Sequence, residues 1–521
     1  MAQPLSAKLF AGVAACPEKE AFRIGGRALP YAELSRLSGA YVGGLARLGI
    51  GRGERVAVFC ESNREMIVAL FGHLRAGIVH VPINTRYRSA ECAHILENSG
   101  ARVVLVQAGS PQEAELEEVP LKDLGIGKIV TGRPKEAGDR AFDSLLNGSP
   151  GEFPKELPAD EDAAFLIYTS GTTGRNKGVE LSYRAVLSNI SALTGLWRWT
   201  SADRLVLALP LFHVHGLCIG AMGTLLHRMT ALVYPKFDPG AAAGAFQTKG
   251  ATLFMGVPTM YRMLLDYLQE NPGAAGDLAR ARLFTSGSAP LPAGDFREFE
   301  ALTGHKILER YGMTETLLTL SNPYEGERRP GSVGLPVPGC EAKLVGDDGE
   351  PCPRGEPGEL LVRGDCLLTG YWRQPEATAA SFRDGWFLTG DVAVQDPDGY
   401  FRIVGRKSVD IVKSGGFKIS TREIEEVLAR CPGVSEVAVV GATDRLWGQK
   451  IVAAIVPAPG SELAVLPPAA VLEKLALFAA KDLAEFKKPR GVLVLAELPR
   501  NALGKVQKHL LAQQYAAENP S

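Results

Sequence analysis

The sequence predicts an α/β protein with a large N-terminal domain, residues 1–405, and a smaller α+β C-terminal domain, residues 406–521. Short apolar runs alternate with helical patterns in two blocks before residue ~320, which favours two βαβ-type sheets flanked by helices. Short strands between Gly and Pro turns from 331 to 405 favour a small β-barrel. The alternation returns after Arg406 over about 115 residues, enough for a separate domain.

The two sheets of the large domain are predicted from apolar runs. Buried parallel strands read as continuous apolar stretches, and helical spacing of apolar residues separates these stretches here. The first block has its runs at 55–60, 77–82 and 101–106, with helices over 65–76 and 87–97, and the second block has its runs at 204–209, 231–234 and 251–254.

The barrel and the C-terminal domain are predicted in the same way. Turn signals such as Asp348-Gly349 and Asp398-Gly399 separate short strands, as in antiparallel sheets. The barrel strands are expected at 341–345, 359–362 and 400–404; in the C-terminal domain we expect helices over 421–429 and 471–483 and strands over 434–441 and 452–456.

Composition excludes several function classes. The chain has 521 residues, 46% hydrophobic and 22% charged, with a formal net charge of −1, so nucleic acid is not expected as a partner. Its eight cysteines are scattered without a CxxC pair, which favours reduced thiols in a cytoplasmic protein over a zinc site or a disulfide framework. No apolar stretch approaches the ~18 residues of a membrane span, and no secretory or peroxisomal signal is visible.

The strongest chemical signal is the segment 168–178, Tyr-Thr-Ser-Gly-Thr-Thr-Gly-Arg-Asn-Lys-Gly, directly after an apolar run at 164–167. Glycines allow the backbone to approach a polyphosphate closely, amides and hydroxyls donate to its oxygens, and a lysine neutralises charge. The segment is not a P-loop, because Asn176 precedes Lys177 and Gly178 follows it. The alternative, a flexible polar turn, does not explain this density of hydroxyl groups.

A second signal is the segment 309–316, Glu-Arg-Tyr-Gly-Met-Thr-Glu-Thr. Tyr311 can stack on a base, Thr314 can reach a phosphate, and Glu315 offers the hard oxygen that Mg²⁺ prefers. A third and weaker signal pairs Asp391 with Arg406 at the edges of two predicted strands, where they can hold ribose hydroxyls.

Two glycine-containing segments near the C-terminus complete the set. Residues 413–419, Lys-Ser-Gly-Gly-Phe-Lys-Ile, form a basic loop before a predicted helix and can line a narrow channel, although a plain helix-entry turn explains them equally well. Lys505, in Pro-Arg-Asn-Ala-Leu-Gly-Lys, lies in a Pro/Gly setting where a lone lysine is usually solvated.

Taken in order, these five segments resemble the adenylate-forming superfamily of acyl-CoA synthetases, luciferases and non-ribosomal adenylation domains, over essentially the whole chain. The resemblance implies an AMP-forming carboxylate:CoA ligase that uses ATP, Mg²⁺ and coenzyme A, with a mobile C-terminal domain. A small carboxylic acid attacks the α-phosphorus of ATP, and the thiol of coenzyme A then displaces AMP.

The resemblance also implies residue roles. Lys505 is the catalytic lysine, Thr314 contacts the α-phosphate and Glu315 holds Mg²⁺. The nucleotide is contacted by Thr169, Ser170, Gly171, Thr172, Thr173, Gly174 and Lys177 at the phosphates, by Gly287, Ser288, Ala289, Glu309, Tyr311, Gly312 and Met313 around the base, and by Asp391 and Arg406 at the ribose. Gly415, Gly416 and Phe417 line the coenzyme A tunnel. The hinge is expected at Lys407 or Ser408, because the family hinge residue lies two positions after the arginine and this chain has one extra residue before Asp410.

The acyl pocket is where substrate choice is expected. Segments including His213 and His215 look most like malonyl-CoA synthetases, which place an arginine where this chain has Met263. Arg262 is one position early and is expected to point away, whereas Arg282 is a weaker source of positive charge. This pattern leans towards an uncharged short or medium acyl chain, and malonate-type acids remain open.

Three other functions share the nucleotide site. A carrier-protein-loading enzyme requires a docking surface that sequence does not reveal. A luciferase-type oxygenase and a non-catalytic nucleotide-binding relative are less favoured, the latter because Lys505, Glu315 and the phosphate loop are all present. A monomer and a homodimer are both compatible with the sequence.

Overall fold

The computed structural model describes residues 4–136, 138–147, 153–169, 176–407, 410–414, 417–444, 447–480, 482–483, 485–500, 504 and 506–519. The chain divides into two compact units. The first comprises Met1–Ala342 and Val362–Phe387, and the second comprises Lys343–Leu361 and Leu388–Ser521. The predicted domain boundary between residues 405 and 406 falls inside the second unit and stays a prediction.

A nine-stranded mixed sheet forms one half of the first unit. Its central strands are parallel, as the apolar runs predict, and antiparallel strands flank them at both ends. The strand order is Leu335–Pro336, Leu317–Ser321, Leu308–Met313, Leu283–Ser286, Leu253–Gly256, Arg204–Leu207, Thr230–Val233, Glu20–Ile24 and Arg27–Pro30.

An eight-stranded sheet forms the other half of the first unit. Its parallel strands come from the first third of the chain, and the hairpin from Ala163 to Ser182 extends it on one side. The strand order is Gly370–Tyr371, Lys177–Ser182, Ala163–Thr169, Val79–Pro82, Arg55–Phe59, Val103–Gln107, Gly127–Thr131 and Arg140–Ala141.

Capping residues define both ends of the helix Arg64–Ala76 in the first unit. Asn63 caps the helix Arg64–Ala76 by accepting the Met66 N–H at 2.8 Å, and Gly77 ends it with φ 68°. The other helices of this unit are Leu5–Ala14, Tyr31–Arg47, Ser89–Ser99, Pro111–Glu117, Phe142–Leu146, Tyr183–Trp197, Gly223–His227, Pro239–Thr248, Pro258–Glu270, Ala275–Leu278, Ala293–Thr303, Pro375–Ala380 and the π-helix His215–Met222.

The Gly- and Pro-rich middle of the chain forms a five-stranded sheet. Its strand order is Cys340–Val345, Pro357–Gly364, Trp386–Gln395 and Phe382–Arg383, with Phe401–Arg406 also paired to Trp386–Gln395. This sheet stands where the sequence predicts a small barrel.

The rest of the second unit is an α+β arrangement. Its sheet has the order Phe417–Ser420, Ile411–Ser414, Gly448–Pro457 and Val434–Asp444, with Gly491–Val494 parallel to Gly448–Pro457. The helices are Thr421–Leu428, Pro468–Ala479 and Lys508–Glu518. One apolar core around Val439 and Leu475 covers one face of the sheet, and another around Val440 and Leu511 covers the opposite face.

The predicted α/β fold class is confirmed. One local prediction differs: the segment 413–419 is not a simple helix entry, because Ile411–Ser414 and Phe417–Ser420 pair as an antiparallel hairpin before the helix begins at Thr421. Among the described residues, no helix combines the length and the apolarity that crossing a membrane requires.

Candidate active site

The stem of the predicted phosphate loop is a β-hairpin. Thr169 ends one strand, Lys177 begins the next, and the two are direct partners across the antiparallel pair. The glycine- and hydroxyl-rich residues between them therefore leave from the end of a buried strand, as predicted. Ser170, Gly171, Thr172, Thr173 and Gly174 themselves lie outside the described residues.

Tyr371 connects the hairpin stem to Glu315. The Lys177 ammonium lies 5.3 Å from the centroid of the Tyr371 ring, and the Tyr371 hydroxyl donates to Glu315 Oε1 at 3.1 Å. The Leu368 N–H donates to the Glu315 carbonyl oxygen at 2.7 Å. A cation and a carboxylate predicted from distant segments are thus brought together, and the sequence analysis missed Tyr371, whose Gly-Tyr-Trp context carries no motif signal.

Thr314 and Glu315 occupy a tight turn between two strands. Leu308–Met313 and Leu317–Ser321 pair antiparallel, and both turn residues are buried. A Cβ at Gly312 would lie 1.7 Å from the Leu317 carbonyl oxygen, so this turn requires glycine. Tyr311 and Met313 are half-buried on the strand that leads into it.

Glu309, at the start of the same segment, is buried. Its Oε1 accepts the Gly331 N–H at 2.9 Å. Burial raises the pKa of Glu309 to about 7, against the lowering effect of backbone hydrogen bonds from Gly331 and Leu291. The Asn322 side-chain amide donates to the backbone carbonyl of Glu309. This contact holds the strand in place and involves no ligand.

Arg310 is a buried cation at the wall of a small cavity. Only 6% of its surface is exposed, and its Nε and Nη2 have no hydrogen-bond partner among the described residues. Burial lowers the pKa of Arg310 to about 10, so the guanidinium is still charged at neutral pH. A Cβ at Gly287 would lie 2.4 Å from Arg310 Cζ, so glycine at this position makes room for the guanidinium.

The cavity beside Arg310 measures about 10 Å³, room for about one water molecule. His215 lies in its wall on the π-helix, with Nδ1 3.3 Å from Ser288 Oγ, and its buried Nε2 has no partner among the described residues. The cavity is lined by His213, Val214, His215, Ile219, Ser288, Arg310, Gly312, Leu317 and Leu318.

The two histidines of this cavity are uncharged at neutral pH. Burial and the neighbouring Arg310 lower the pKa of His213 to about 4, and the same causes hold the pKa of His215 well below its usual value. The backbone N–H of His215 donates to the ring nitrogen Nδ1 of His213 at 3.3 Å. Arg310 is therefore the fixed positive charge of the cavity wall.

Three other predicted pocket residues lie away from this lining. Arg262 bonds Asp266, Asp295 and Glu298, in agreement with the expectation that it points elsewhere. Met263 is 45% exposed. Arg282 makes two 2.6 Å bonds to the Asp203 carboxylate, which already balances its charge.

In the second unit, Asp391 and Arg406 form the pair expected for a ribose. They are direct partners across two antiparallel strands, and Arg406 Nε lies 3.0 Å from Asp391 Oδ1. Lys407 is held by Glu359 at 2.7 Å. The predicted residues Ser408, Gly415, Gly416 and Lys505 lie outside the described residues, Phe417 begins a strand, and Ala289 is exposed in the first unit.

A family model described as an AMP-binding enzyme matches residues 9–372, and one described as an AMP-binding enzyme C-terminal domain matches residues 423–505. The chain belongs to the AMP-binding enzyme family. This AMP-binding enzyme is an AMP-forming acid–thiol ligase, which confirms the reaction class predicted from the sequence.

Three similar proteins illustrate the range of its relatives. A malonate–CoA ligase of Arabidopsis thaliana is 34% identical over 480 residues, 88% of this chain and 77% of the relative. A feruloyl-CoA synthase of Amycolatopsis sp is 36% identical over 496 residues, 94% and 95% of the two chains. The crystal structure of ATP-bound MatB from Rhodopseudomonas palustris is 36% identical, covers 98% and 99% of the two chains and has a TM-score of 0.87.

Proposed function

We propose that this AMP-forming ligase acts on a short dicarboxylic acid of the malonate type, with ATP, Mg²⁺ and coenzyme A. One carboxylate is adenylated with release of pyrophosphate, and the thiol of coenzyme A then displaces AMP. The second carboxylate stays intact and needs a cation in the acyl pocket. A cytoplasmic location and the choice between monomer and homodimer remain predictions.

The single observation that carries the proposal is the buried guanidinium of Arg310. A buried charge is costly unless an opposite charge and hydrogen bonds compensate it. Two of the three nitrogens of Arg310 have no partner among the described residues, and its charge adds to the effect of burial in lowering the pKa of His213 and His215. A substrate carboxylate supplies both the charge and the acceptors, and a guanidinium binds it with two parallel hydrogen bonds.

The size of the cavity supports a short acyl group. A wall of His213, Val214, Ile219 and Leu317 around about 10 Å³ leaves no room for an extended chain or an aromatic ring without large movements. A three- or four-carbon dicarboxylate needs the smallest rearrangement. The neutral His215 Nε2, buried without a partner among the described residues, is a second group that such a carboxylate can engage.

The alternative is a monocarboxylic acid, which the sequence favoured because Met263 replaces an arginine. In the structure Met263 is half-exposed and outside the cavity lining, so it says little about the acyl group. Among the relatives, the malonate–CoA ligase agrees with a dicarboxylate, whereas the feruloyl-CoA synthase agrees with an aromatic monocarboxylate. The uncompensated charge of Arg310 favours the dicarboxylate.

For the adenylation step we propose the residue roles that the resemblance to the adenylate-forming superfamily implies. Lys177 and the phosphate loop neutralise the polyphosphate, Thr314 binds the α-phosphate, and Lys505 bridges it to the attacking carboxylate. Catalysis in such a step comes from positioning and charge neutralisation. Asp391 and Arg406 take the ribose hydroxyls, and Gly415, Gly416 and Phe417 line the path of the coenzyme A thiol.

Glu315 is the proposed Mg²⁺ ligand. Its carboxylate is a hard oxygen donor that the Tyr371 hydroxyl orients, while the Leu368 N–H holds the Glu315 backbone carbonyl, so the residues present fit the ion. Bound Mg²⁺ supplies charge neutralisation of the leaving pyrophosphate. The Lys177 ammonium, 5.3 Å from the centroid of the Tyr371 ring, is the proposed second group that neutralises phosphate charge.

The test measures acid-dependent AMP release with malonate, methylmalonate, propionate, butyrate and ferulate, with and without coenzyme A. We expect kcat/KM for malonate to exceed that for propionate, the monocarboxylate of equal length. Arg310→Met should lower kcat/KM for malonate by about 30-fold or more, since losing one partner of a buried charge pair costs about 2 to 5 kcal/mol. The value for propionate should change much less.

Arg262→Met is the matched control, because Arg262 is engaged by carboxylates outside the cavity. It should leave the ratio of malonate to propionate unchanged. The dicarboxylate assignment is wrong if the wild-type kcat/KM for propionate or ferulate equals that for malonate. It is also wrong if Arg310→Met leaves the malonate-to-propionate ratio unchanged. The ligase class stands in both cases.

A further inference from the structure

Two cysteines that are far apart in the sequence meet in the first unit. Cys340 Sγ and Cys366 Sγ lie 2.8 Å apart, although 26 residues separate them. Cys340 begins the strand Cys340–Val345 and is half-buried, whereas Cys366 follows the strand Pro357–Gly364 and is only 2% exposed. The two thiols are free in this structure.

The backbone around the pair is built for this close approach. A Cβ at Gly364 would lie 2.4 Å from the Gly339 carbonyl oxygen and 3.1 Å from Cys340 Cα, so glycine is needed where the two segments touch. Arg363 makes two bonds to the Glu341 carboxylate, at 3.0 and 2.8 Å, directly beside the cysteines. The glycine contact and this ion pair hold the two segments together beside the cysteines.

We propose that Cys340 and Cys366 form a reversible redox site that closes to a disulfide under peroxide. The Cys340 sulfur, the more accessible one, attacks hydrogen peroxide; an S–O bond forms, the O–O bond breaks, and water leaves with the thiol proton. The Cys366 sulfur then attacks the sulfenic sulfur; the S–S bond forms, the S–O bond breaks, and a second water carries away the Cys366 proton. Two thiols lose two electrons and one peroxide becomes two waters.

The chemistry of the pair assigns the two roles. The hydrogen bond to Cys340 and burial raise the pKa of Cys366, which keeps this sulfur protonated and shielded from solvent. Cys340 is therefore the sulfur that meets the oxidant, and Cys366 is the resolving partner. A dithiol reductant reverses the reaction by thiol–disulfide exchange.

Closing the disulfide bears directly on Glu315. The Leu368 N–H, two residues after Cys366, donates to the Glu315 carbonyl oxygen, and Tyr371 reaches the Glu315 carboxylate. Formation of the bond shortens the sulfur separation to about 2.05 Å and pulls this segment towards Cys340. Since shifts of about 1 Å in a catalytic arrangement can cost ~100-fold in rate, we expect oxidation to slow adenylation several-fold.

The experiment treats the full-length enzyme with stoichiometric hydrogen peroxide and digests it with trypsin without reduction. We expect a linked pair of peptides, 329–343 and 364–373, that disappears after dithiothreitol treatment. Adenylation should fall several-fold in the wild type and recover with dithiothreitol. Cys340→Ser should abolish both the linked peptide and the loss of rate.

Cys352→Ser is the matched control, because Cys352 is also half-buried and its thiol donates to the Pro357 carbonyl oxygen at 3.8 Å. It should respond to peroxide like the wild type. Cys340→Ala serves as a second variant that adds no hydroxyl. A peptide map in which Cys340 and Cys366 stay free while other cysteines react, or a Cys340→Ser enzyme that loses rate as the wild type does, would overturn the proposal.

Discussion

Lys508 donates a hydrogen bond to Asp410 Oδ1 at 2.6 Å in a partly buried part of the second unit. The same ammonium bonds Thr421 Oγ1 at 2.7 Å and lies 2.8 Å from Glu425 Oε1. Asp410 Oδ2 in turn accepts the Arg406 N–H at 3.0 Å. The residue three positions after Lys505 is therefore anchored to the segment that directly follows the proposed ribose-binding arginine.

Lys508→Met should strongly destabilise the second unit. The change leaves the buried Asp410 and the half-buried Glu425 without their shared cation, with Arg422 at 3.4 Å from Asp410 left to compensate, and removing one partner of a buried ion pair costs up to about 3 to 5 kcal/mol. Hydrogen exchange of peptides from residues 410–519 at increasing urea concentrations measures the loss in the free energy of unfolding. Lys474→Met, which removes an exposed pair with Glu462, should cost less than about 1 kcal/mol, and equal effects of the two variants would contradict this account.

The stability of the enzyme should depend on the protonation of Glu309. Burial raises the pKa of Glu309 from 4.5 to about 7 in the folded chain, so the folded state binds more protons than the unfolded state between these values. Its contribution is therefore fully present below pH 4.5 and is lost as the pH rises to about 7, by roughly 3 kcal/mol at most. In urea unfolding across this window, Glu309→Gln should match the wild type near pH 4.5 and become the more stable of the two as the pH rises to about 7, and a constant difference would contradict the shift.

Gly287→Ala should impair use of the acid more than use of ATP. The new methyl group would lie 2.4 Å from Arg310 Cζ, so the guanidinium must leave its position. We expect kcat/KM for malonate to fall at least about tenfold, since one lost charge-assisted hydrogen bond is worth about 1.5 to 3 kcal/mol. Gly294→Ala, with no other heavy atom within 4 Å of the added Cβ, should have no effect; an equal rise in KM for ATP and malonate would point to the adenine contact instead.

Arg282→Met should affect stability and leave substrate choice unchanged. It leaves the Asp203 carboxylate, 3% exposed, with the Thr200 and Thr252 hydrogen bonds but without its guanidinium, at a cost of about 3 to 5 kcal/mol. Thermal unfolding and the malonate-to-propionate ratio measure the two effects. Arg198→Met, which removes an exposed ion pair with Glu325, is the control. If the malonate-to-propionate ratio changes in Arg282→Met and not in Arg198→Met, Arg282 contributes to the acyl pocket after all.

Much of the fold follows from local sequence signals. The run predicted at 55–60 is the strand Arg55–Phe59, and the helix predicted over 65–76 is Arg64–Ala76, because continuous apolar runs and 3.6-residue periodicity report burial directly. The segment around Gly415 was less clear. Two glycines between short basic stretches suit both a helix entry and a hairpin turn, and only pairing with a distant strand decides between them.

The candidate site was predictable where one segment carries the chemistry and not where distant segments meet. The turn with Thr314 and Glu315 was found from its motif. Arg310 was read as part of that motif and not as the pocket cation, because its burial depends on Gly287 and on the π-helix bearing His215, which come from other parts of the chain. Tyr371 and the contact of Cys340 with Cys366 were missed for the same reason.

The N-terminal hairpin has a consequence for biosynthesis. Phe22 and Ile24 pair in parallel with Ala231 and Val233, so the strand Glu20–Ile24 completes a sheet whose partner strand is translated roughly 200 residues later. At about 5 to 20 residues per second, the nascent chain carries this apolar edge unpaired for on the order of 10 to 40 seconds. Ribosome-bound chains that end before the strand Thr230–Val233 therefore expose this edge, and we expect chaperone binding and aggregation to begin with them.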